Sequence, residues 1–301
     1  MPPKPRKSLV KAMQTGARSA RQLLRNAVGR LARAGIPEPI ASAEVLLAEL
    51  LCVRRSELMF REELPTGDEV TLYETWISRR LQREPVQRIL GYAYFRNLRL
   101  ELDGHTLIPR PDTESVVDAA LEAVDRRDDA CRVLDLGTGS GAIAISLACE
   151  RPSCDVHATD NSKGSLKVAR RNAVRAGAKV RFYRTDLSSG LDALLADSVD
   201  VLVSNPPYIR SAQIETLAPE VRDWDPRAAL DGGPDGLDFY RRIFTEAVPL
   251  LENGADVVLE VGDGQAEKVL ELGQRAGYDP VGTHLDLTGT PRAVWLRRSL
   301  G

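Results

Sequence analysis

The sequence predicts an α/β protein: a largely parallel sheet with helices on both faces, preceded by a small all-helical domain. Three observations carry that prediction. After Pro111, short apolar runs alternate with helical patterns, as strands buried on both faces require. Before Leu90 the apolar residues recur only at helical spacings. Between these regions, over residues 92–111, the spacing changes to two.

The helical region begins at about Ala20. Leu23, Leu24, Val28 and Leu31 form one apolar stripe, ended by Gly35 and Pro37. Ile40, Ala43, Leu46, Leu47 and Leu50 form a second. A third helix runs from about Asp68 to Arg83 through Val70, Leu72, Tyr73, Trp76, Ile77 and Leu81, with Pro85 and Gly91 marking its end. Together they suit a short bundle. The alternation of Tyr94, Phe95, Leu98, Leu100 and Leu102, followed by Thr106, Leu107 and Ile108, predicts a hairpin that turns at Asp103-Gly104. Strands are expected at 132–136, 156–159, 180–183, 199–203 and 257–261, and helices at 142–149, 163–176 and 237–251. The last two runs, 280–287 and 292–298, are joined by so few residues that they must pair antiparallel. Residues 1–88 thus read as a helical domain with a basic tail, 89–112 as a hairpin linker and 113–301 as the domain that carries the chemistry.

Bulk properties narrow the classes. A chain of 301 residues, 43% hydrophobic and 28% charged, suits a folded protein with one large and one smaller domain. A formal net charge of -2 argues against a protein that grips long nucleic acid, so direct DNA binding is not expected. Cys52, Cys131, Cys149 and Cys154 form no CxxC pair and read as buried thiols in a reducing compartment. His105, His157 and His284 lack ligand-like spacing, and no metal is expected. No apolar run reaches the roughly 18 to 20 residues of a membrane span, and no secretory segment opens the chain. A cytoplasmic monomer is the expectation. Residues 1–33 hold basic residues from Lys4 to Arg33 and no acid. They read as a tail and the solvated side of a helix, in preference to an organelle transit peptide or a basic face for RNA.

Two segments carry candidate chemistry. Val133, Leu134, Asp135 and Leu136 lead into Gly137, Thr138, Gly139, Ser140 and Gly141, then Ala142: a strand, a glycine turn and a helix start. Glycines let a ligand approach a backbone that side chains would shield. The turn alone is ambiguous, because Gly137, Gly139 and Ala142 also satisfy a dinucleotide fingerprint, and a purely structural turn stays open. Asp160, ending the next strand, is placed to hold the two hydroxyls of a ribose, or else to cap the following helix. Asp186 ends the third strand and offers an acceptor to an adenine amino group.

The second segment is Ser204-Asn205-Pro206-Pro207-Tyr208, directly after the fourth strand. The ligand crevice of an open α/β sheet lies beyond the carboxyl ends of its strands, so this loop and the glycine turn should share it. An amide or exocyclic amine is a poor nucleophile, because its lone pair is delocalised. Acceptors aimed at both N–H bonds turn the lone pair toward an electrophile. Asn205 offers a side-chain carbonyl and Pro206 a backbone one, and neither proline has an N–H to compete. Tyr208 offers a flat face to a planar group. The bland alternative is a Pro-Pro turn that ends a strand. Beside a glycine turn in the same sheet, the acceptor reading is the better one.

With these residues in place, the chain resembles the release factor glutamine N5-methyltransferases, the PrmC/HemK family. Arg83-Glu84-Pro85-Val86-Gln87 with Ile89-Leu90-Gly91 is similar to that family's helix-to-hairpin junction. Leu107-Ile108-Pro109-Arg110-Pro111-Asp112-Thr113-Glu114 is similar to the start of its catalytic domain. The glycine turn, the Asn205 loop and Asp225-Pro226-Arg227-Ala228-Ala229-Leu230 continue the likeness in order, over most of the chain.

The resemblance implies a class I S-adenosylmethionine-dependent methyltransferase: a Rossmann-like, seven-stranded mixed sheet with an antiparallel last strand, preceded by a helical substrate-recognition domain. It implies S-adenosylmethionine as cofactor and S-adenosylhomocysteine as product, held by Gly137, Thr138, Gly139, Ser140, Gly141, Asp160, Asp186, Leu187 and Asn205. It implies class I peptide-chain release factors as partners, methylated on the glutamine of their Gly-Gly-Gln loop and so acting in translation termination. Asn205, Pro206, Pro207 and Tyr208 would hold the glutamine amide, with Asn205, Pro206 and Tyr208 catalytic. Leu187 stands where some relatives carry an aromatic residue beside the adenine, which keeps apolar contact and removes stacking. Arg110, Thr113 and Glu114 are expected to play a structural or gating part.

The main alternative is a nucleic-acid adenine N6-methyltransferase, since the same loop suits an adenine amine, but such an enzyme normally brings a basic recognition region. A nicotinamide-dependent oxidoreductase leaves the acceptor loop without a purpose. A ribosome-associated binding module rests only on the basic start.

Overall fold

A computed structural model of the chain describes residues 19–58, 60, 64–127 and 131–300; of the basic stretch 1–33 read above, residues 1–18 lie outside them. The chain divides into two compact units between Leu90 and Gly91.

The first unit holds α1 (Ala20–Arg33), α2 (Pro39–Leu50), α3 (Gly67–Leu81) and α4 (Val86–Leu90). Ser19 opens α1 with a capping box: its hydroxyl accepts from Gln22 N–H, and the Gln22 side chain returns to Ser19 N–H. Thr66 and Glu69 repeat the device at α3. Leu23, Leu31, Leu46, Leu47, Tyr73 and Ile77 close the core. The buried Tyr73 hydroxyl donates to the Ala43 carbonyl at 3.0 Å, which satisfies its polar tip. The sequence reading missed α4. Pro85 does more than stop α3: its carbonyl accepts the Ile89 N–H at 3.0 Å and begins the next helical turn.

The second unit opens with a hairpin of β1 (Tyr92–Phe95) and β2 (Leu98–Glu101). Phe95 pairs with Leu98, so the chain reverses at Arg96-Asn97, not at Asp103-Gly104 as expected. An unbroken alternation does not reveal where a chain turns back. Arg96 is not a turn former, yet it holds a left-handed φ of 49°. Tertiary contacts secure it: ion pairs to Glu150 and Asp118, both at 2.6 Å, and its N–H on the Glu114 carboxylate at 2.9 Å. Asp103-Gly104 makes a separate turn after β2, where the Asp103 carboxylate accepts from His105 N–H at 2.9 Å.

The remaining elements alternate: α5 (Glu114–Asp125), β3 (Arg132–Leu136), α6 (Ala142–Glu150), β4 (Asp155–Asp160), α7 (Lys163–Ala176), β5 (Val180–Arg184), α8 (Asp192–Leu195), β6 (Val199–Ser204), α9 (Pro219–Arg222), α10 (Asp238–Glu246), β7 (Leu251–Glu260), α11 (Ala266–Arg275), β8 (Tyr278–Leu285) and β9 (Pro291–Arg298). The sheet has seven strands in the order β5-β4-β3-β6-β7-β9-β8, and β9, the last strand in sequence, runs antiparallel to both neighbours. Alternate residues of the central strands enter opposite cores. Val133 packs with α5 and α6, while Leu134 and Leu136 pack with α10 and α11. Burial on both faces is what makes the parallel strands read as continuous apolar runs.

All four cysteines are free, but only Cys131 is buried; Cys154 is half-buried, and Cys52 and Cys149 are exposed. The expectation of buried thiols therefore fails for the two exposed ones. Cys52 follows the end of α2 in a surface turn, and Cys149 faces outward in the last turn of α6. Among the described residues no helix is long and apolar enough to cross a membrane.

Candidate active site

The strand order reverses between β3 and β6, the place where an open α/β sheet forms its ligand crevice. Register brings the candidate segments together there. Leu136 pairs with Thr159 on one side and with Ser204 on the other. The buried Ser204 hydroxyl also donates to the Leu136 carbonyl at 2.7 Å. The glycine turn, Asp160 and Asn205 therefore all begin one residue beyond a single row of paired residues. Asp186 and Leu187 follow the end of β5 in the next position along the sheet.

A cavity of about 260 Å³ opens above this row. Gly137, Thr138, Gly139, Ser140, Asp160, Asp186, Leu187, Asn205, Pro206 and Pro207 line it. Gly141 and Tyr208 sit behind that lining. Gly137 and Gly139 take φ of +73° and +56°, and a Cβ on either would meet no protein atom within 4 Å, so the turn's backbone faces open space. Gly141 has a different reason to be glycine: at φ +87° its Cβ would fall 2.6 Å from the Ile145 side chain.

Asp135 anchors the turn from below. It is 1% exposed, and its Oδ2 accepts from Thr138 Oγ1 at 2.6 Å and from Ala144 N–H at 3.3 Å, while Oδ1 has no partner. Burial pushes its pKa up to about 7. Asp160 accepts from Gly139 N–H at 2.9 Å and from Ser162 N–H at 2.8 Å. The helix-cap alternative for Asp160 falls away, because Ser162 caps α7, its hydroxyl taking the Ser165 N–H. A carboxylate accepts about four hydrogen bonds, so Asp160 keeps capacity toward the cavity. Burial raises its pKa. Asp186 is paired at 2.9 Å with Arg242, a partner the sequence did not suggest.

The acceptor loop is boxed in. Asn205 Nδ2 donates to Thr113 Oγ1 at 3.2 Å. The Tyr208 hydroxyl donates to Glu260 Oε1 at 3.2 Å, and its backbone carbonyl accepts from Gln265 Nε2 at 3.0 Å. Burial, more than the neighbouring Glu260 carboxyl, pushes the Tyr208 phenol well above its ordinary value. Ile209 pairs with Asp231 just beyond the loop, and Gly232 lies so close that a Cβ there would fall 2.7 Å from the Pro207 carbonyl oxygen.

Sequence reasoning missed Ile143, Phe239, Pro226, Ala228 and Ala229 in the cavity wall. Phe239 supplies an aromatic side chain to the wall that Leu187 does not. The Asp225 motif explains itself: its fully buried carboxylate pairs with Arg110 at 2.6 Å and accepts from Ile108 N–H at 3.4 Å. That clasp ties two distant matched motifs together and gives Arg110 its structural part. Glu114 likewise holds the Arg96 turn.

A parallel sheet with one antiparallel strand slotted in before its edge, and a glycine turn leaving its central strand, belongs to the class I S-adenosylmethionine-dependent methyltransferases. A methyltransferase from Pyrococcus furiosus shares the fold, with a TM-score of 0.50 at 20% identity over 68% of this chain and 91% of its own. The methyltransferase small domain family matches residues 116–220, and the PrmC N-terminal domain family matches residues 22–91. The release factor glutamine methyltransferase of Geobacter sulfurreducens is 41% identical over 88% of this chain and 92% of its own. That of Streptomyces coelicolor is 43% identical over 91% and 96%. The chain belongs to the release factor glutamine methyltransferase family.

Proposed function

We propose that this chain transfers the methyl group of S-adenosylmethionine to the N5 amide nitrogen of the glutamine in the Gly-Gly-Gln loop of class I peptide-chain release factors, in the cytoplasm. The observation that carries this reading is the pairing of Leu136 with Ser204, which starts the glycine turn and the Asn-Pro-Pro-Tyr loop side by side at one cavity. The cavity suits a nucleoside with a charged tail. Gly137, Thr138, Gly139 and Ser140 present backbone and Gly141 closes the turn behind them, Asp160 presents an acceptor for ribose hydroxyls, and Asp186 one for the adenine amine. Leu187, Ile143 and Phe239 provide apolar walls.

Bound there, S-adenosylmethionine supplies an electrophilic methyl group. The chain's own task is to make a reluctant nitrogen nucleophilic. The Asn205 side-chain carbonyl and the Pro206 backbone carbonyl accept the two N–H groups of the glutamine and hold its lone pair toward the donor. Pro207 stiffens the loop, and Tyr208 offers its face to the amide plane. In this reading residues 1–88 recognise the release factor, 89–112 link, and 113–301 catalyse, in a monomer that needs no metal and no DNA.

Incubation with methyl-labelled S-adenosylmethionine tests the reading. Label is expected in a release factor and not in the same factor with its loop glutamine replaced. Label in a DNA or RNA oligonucleotide, with none in the release factor, would overturn it.

A further inference from the structure

We infer that Arg242 is a positioning residue for cofactor selection: its guanidinium holds the Asp186 carboxylate so that the site reads the amino group of adenine and rejects a purine that carries an oxygen there. The inference rests on the adenine-accepting role proposed above for Asp186.

The apolar walls cannot make that choice. Leu187, Ile143 and Phe239 line the cavity and offer contact to any purine ring, and an apolar pocket discriminates poorly between rings of one shape. The 6-amino group of adenine donates, whereas a 6-oxo group only accepts. A carboxylate is acceptor-only. It pairs with the first and repels the second, provided its oxygens stay aimed at the purine edge. An aspartate in a turn rotates freely about χ1 and χ2, and 54% of the Asp186 side chain is exposed. Its own surroundings in the turn do not hold it.

Arg242 holds it. From the middle of α10 its guanidinium grips both Asp186 oxygens, Nη2 on Oδ2 at 2.9 Å and Nη1 on Oδ1 at 3.4 Å. The guanidinium is fixed in turn by Glu246: Nε donates to Oε1 at 2.7 Å and Nη2 to Oε2 at 3.2 Å. A carboxylate offers about four acceptor positions, so the fork leaves Asp186 capacity toward the cavity. Phe239, one turn earlier on α10, lines the same cavity, and the Arg242 guanidinium carbon lies 5.8 Å from its ring centroid. One helix thus carries both an apolar wall for the purine and the clamp on its polar reader. A second tie keeps turn and helix in step: the buried Ser188 hydroxyl donates to the Glu246 carbonyl at 3.0 Å. Between the two ties Leu187 takes a left-handed φ of 48°, which a leucine rarely adopts unless its surroundings impose it. An ion pair this open adds little to folding; its geometry serves orientation.

Calorimetric titration of the full-length chain with S-adenosylhomocysteine and with S-inosylhomocysteine, whose purine carries oxygen in place of the amino group, tests this. The wild type is expected to bind the adenosyl compound more tightly by a factor on the order of 10². Asp186→Asn, whose amide can donate to the oxygen, is expected to bring that ratio to about one. Arg242→Met, which keeps the reach of the side chain and removes the fork, is expected to lower the ratio by a factor on the order of five and to lower it no further in the Asp186→Asn background. Arg242→Lys is expected to restore only part, because a point charge does not reproduce the fork. A purely structural part for Arg242 would weaken both compounds alike. A wild-type ratio in Arg242→Met, beside a collapsed ratio in Asp186→Asn, would therefore overturn the inference alone. A ratio untouched by Asp186→Asn would overturn the accepting role of Asp186 and the inference with it. Failure of the wild type to bind S-adenosylhomocysteine would overturn the proposed function itself.

Discussion

Asp135 and Glu260 lie in the two layers behind the cavity, one beneath the glycine turn and one behind the acceptor loop. Burial raises both carboxyls to about 7, against roughly 4 in an unfolded chain. The folded protein therefore holds these protons more tightly than the unfolded one. The stability they contribute is complete below about pH 4 and is lost as the pH climbs through about 7. His157, pushed down by burial from 6.5, acts in the opposite sense, but only below that value. Thermal denaturation between about pH 6.5 and pH 8 should show a falling Tm, and Asp135→Asn should flatten the slope. A Tm that rises across this interval would contradict the assignment. At this scale the local motifs were legible: Asn205, Asp160 and the glycines announce themselves in short strings. The Thr113–Asn205 contact was not, because its partners stand 92 residues apart in sequence and meet only in the folded chain.

Elements explain why the acceptor loop holds its shape. It leaves β6 pinned by the Ser204 hydroxyl on β3 and is backed by the 230–233 segment, where Gly232 N–H donates to the Ile209 carbonyl at 2.8 Å. A methyl group on Gly232 would press on backbone, with the Pro207 oxygen at 2.7 Å and Tyr208 Cα at 2.8 Å. Backbone cannot rotate away as a side chain can. Gly232→Ala is expected to displace the loop and lower kcat on the order of tenfold or more while the Kd for S-adenosylmethionine stays as in the wild type. Steady-state rates paired with calorimetric cofactor binding check this, and unchanged turnover would mean the loop tolerates the shift. The strands of the sheet were readable as short apolar runs, and α7 was readable from its stripe. Helix α5 was not, since only Asp118, Glu122 and Asp125 of its later turns face solvent and the apolar stripe nearly closes on itself. The hairpin turn escaped for a related reason: Arg96 is held in place by acids from α5 and α6, which no local pattern contains.

At the scale of the whole molecule, the account makes one demand. The parallel strands must deliver donor turn and acceptor loop to the same side of one cavity, with the loop's oxygens turned inward. The measurement that tests this most directly is a structure of the enzyme with S-adenosylhomocysteine and a release-factor peptide carrying the Gly-Gly-Gln sequence. The account predicts the glutamine nitrogen at about 3 Å from both Asn205 Oδ1 and the Pro206 carbonyl oxygen, facing the sulfur. A glutamine amide seated elsewhere, or an Asn205 side chain presenting Nδ2 to it, would contradict the account.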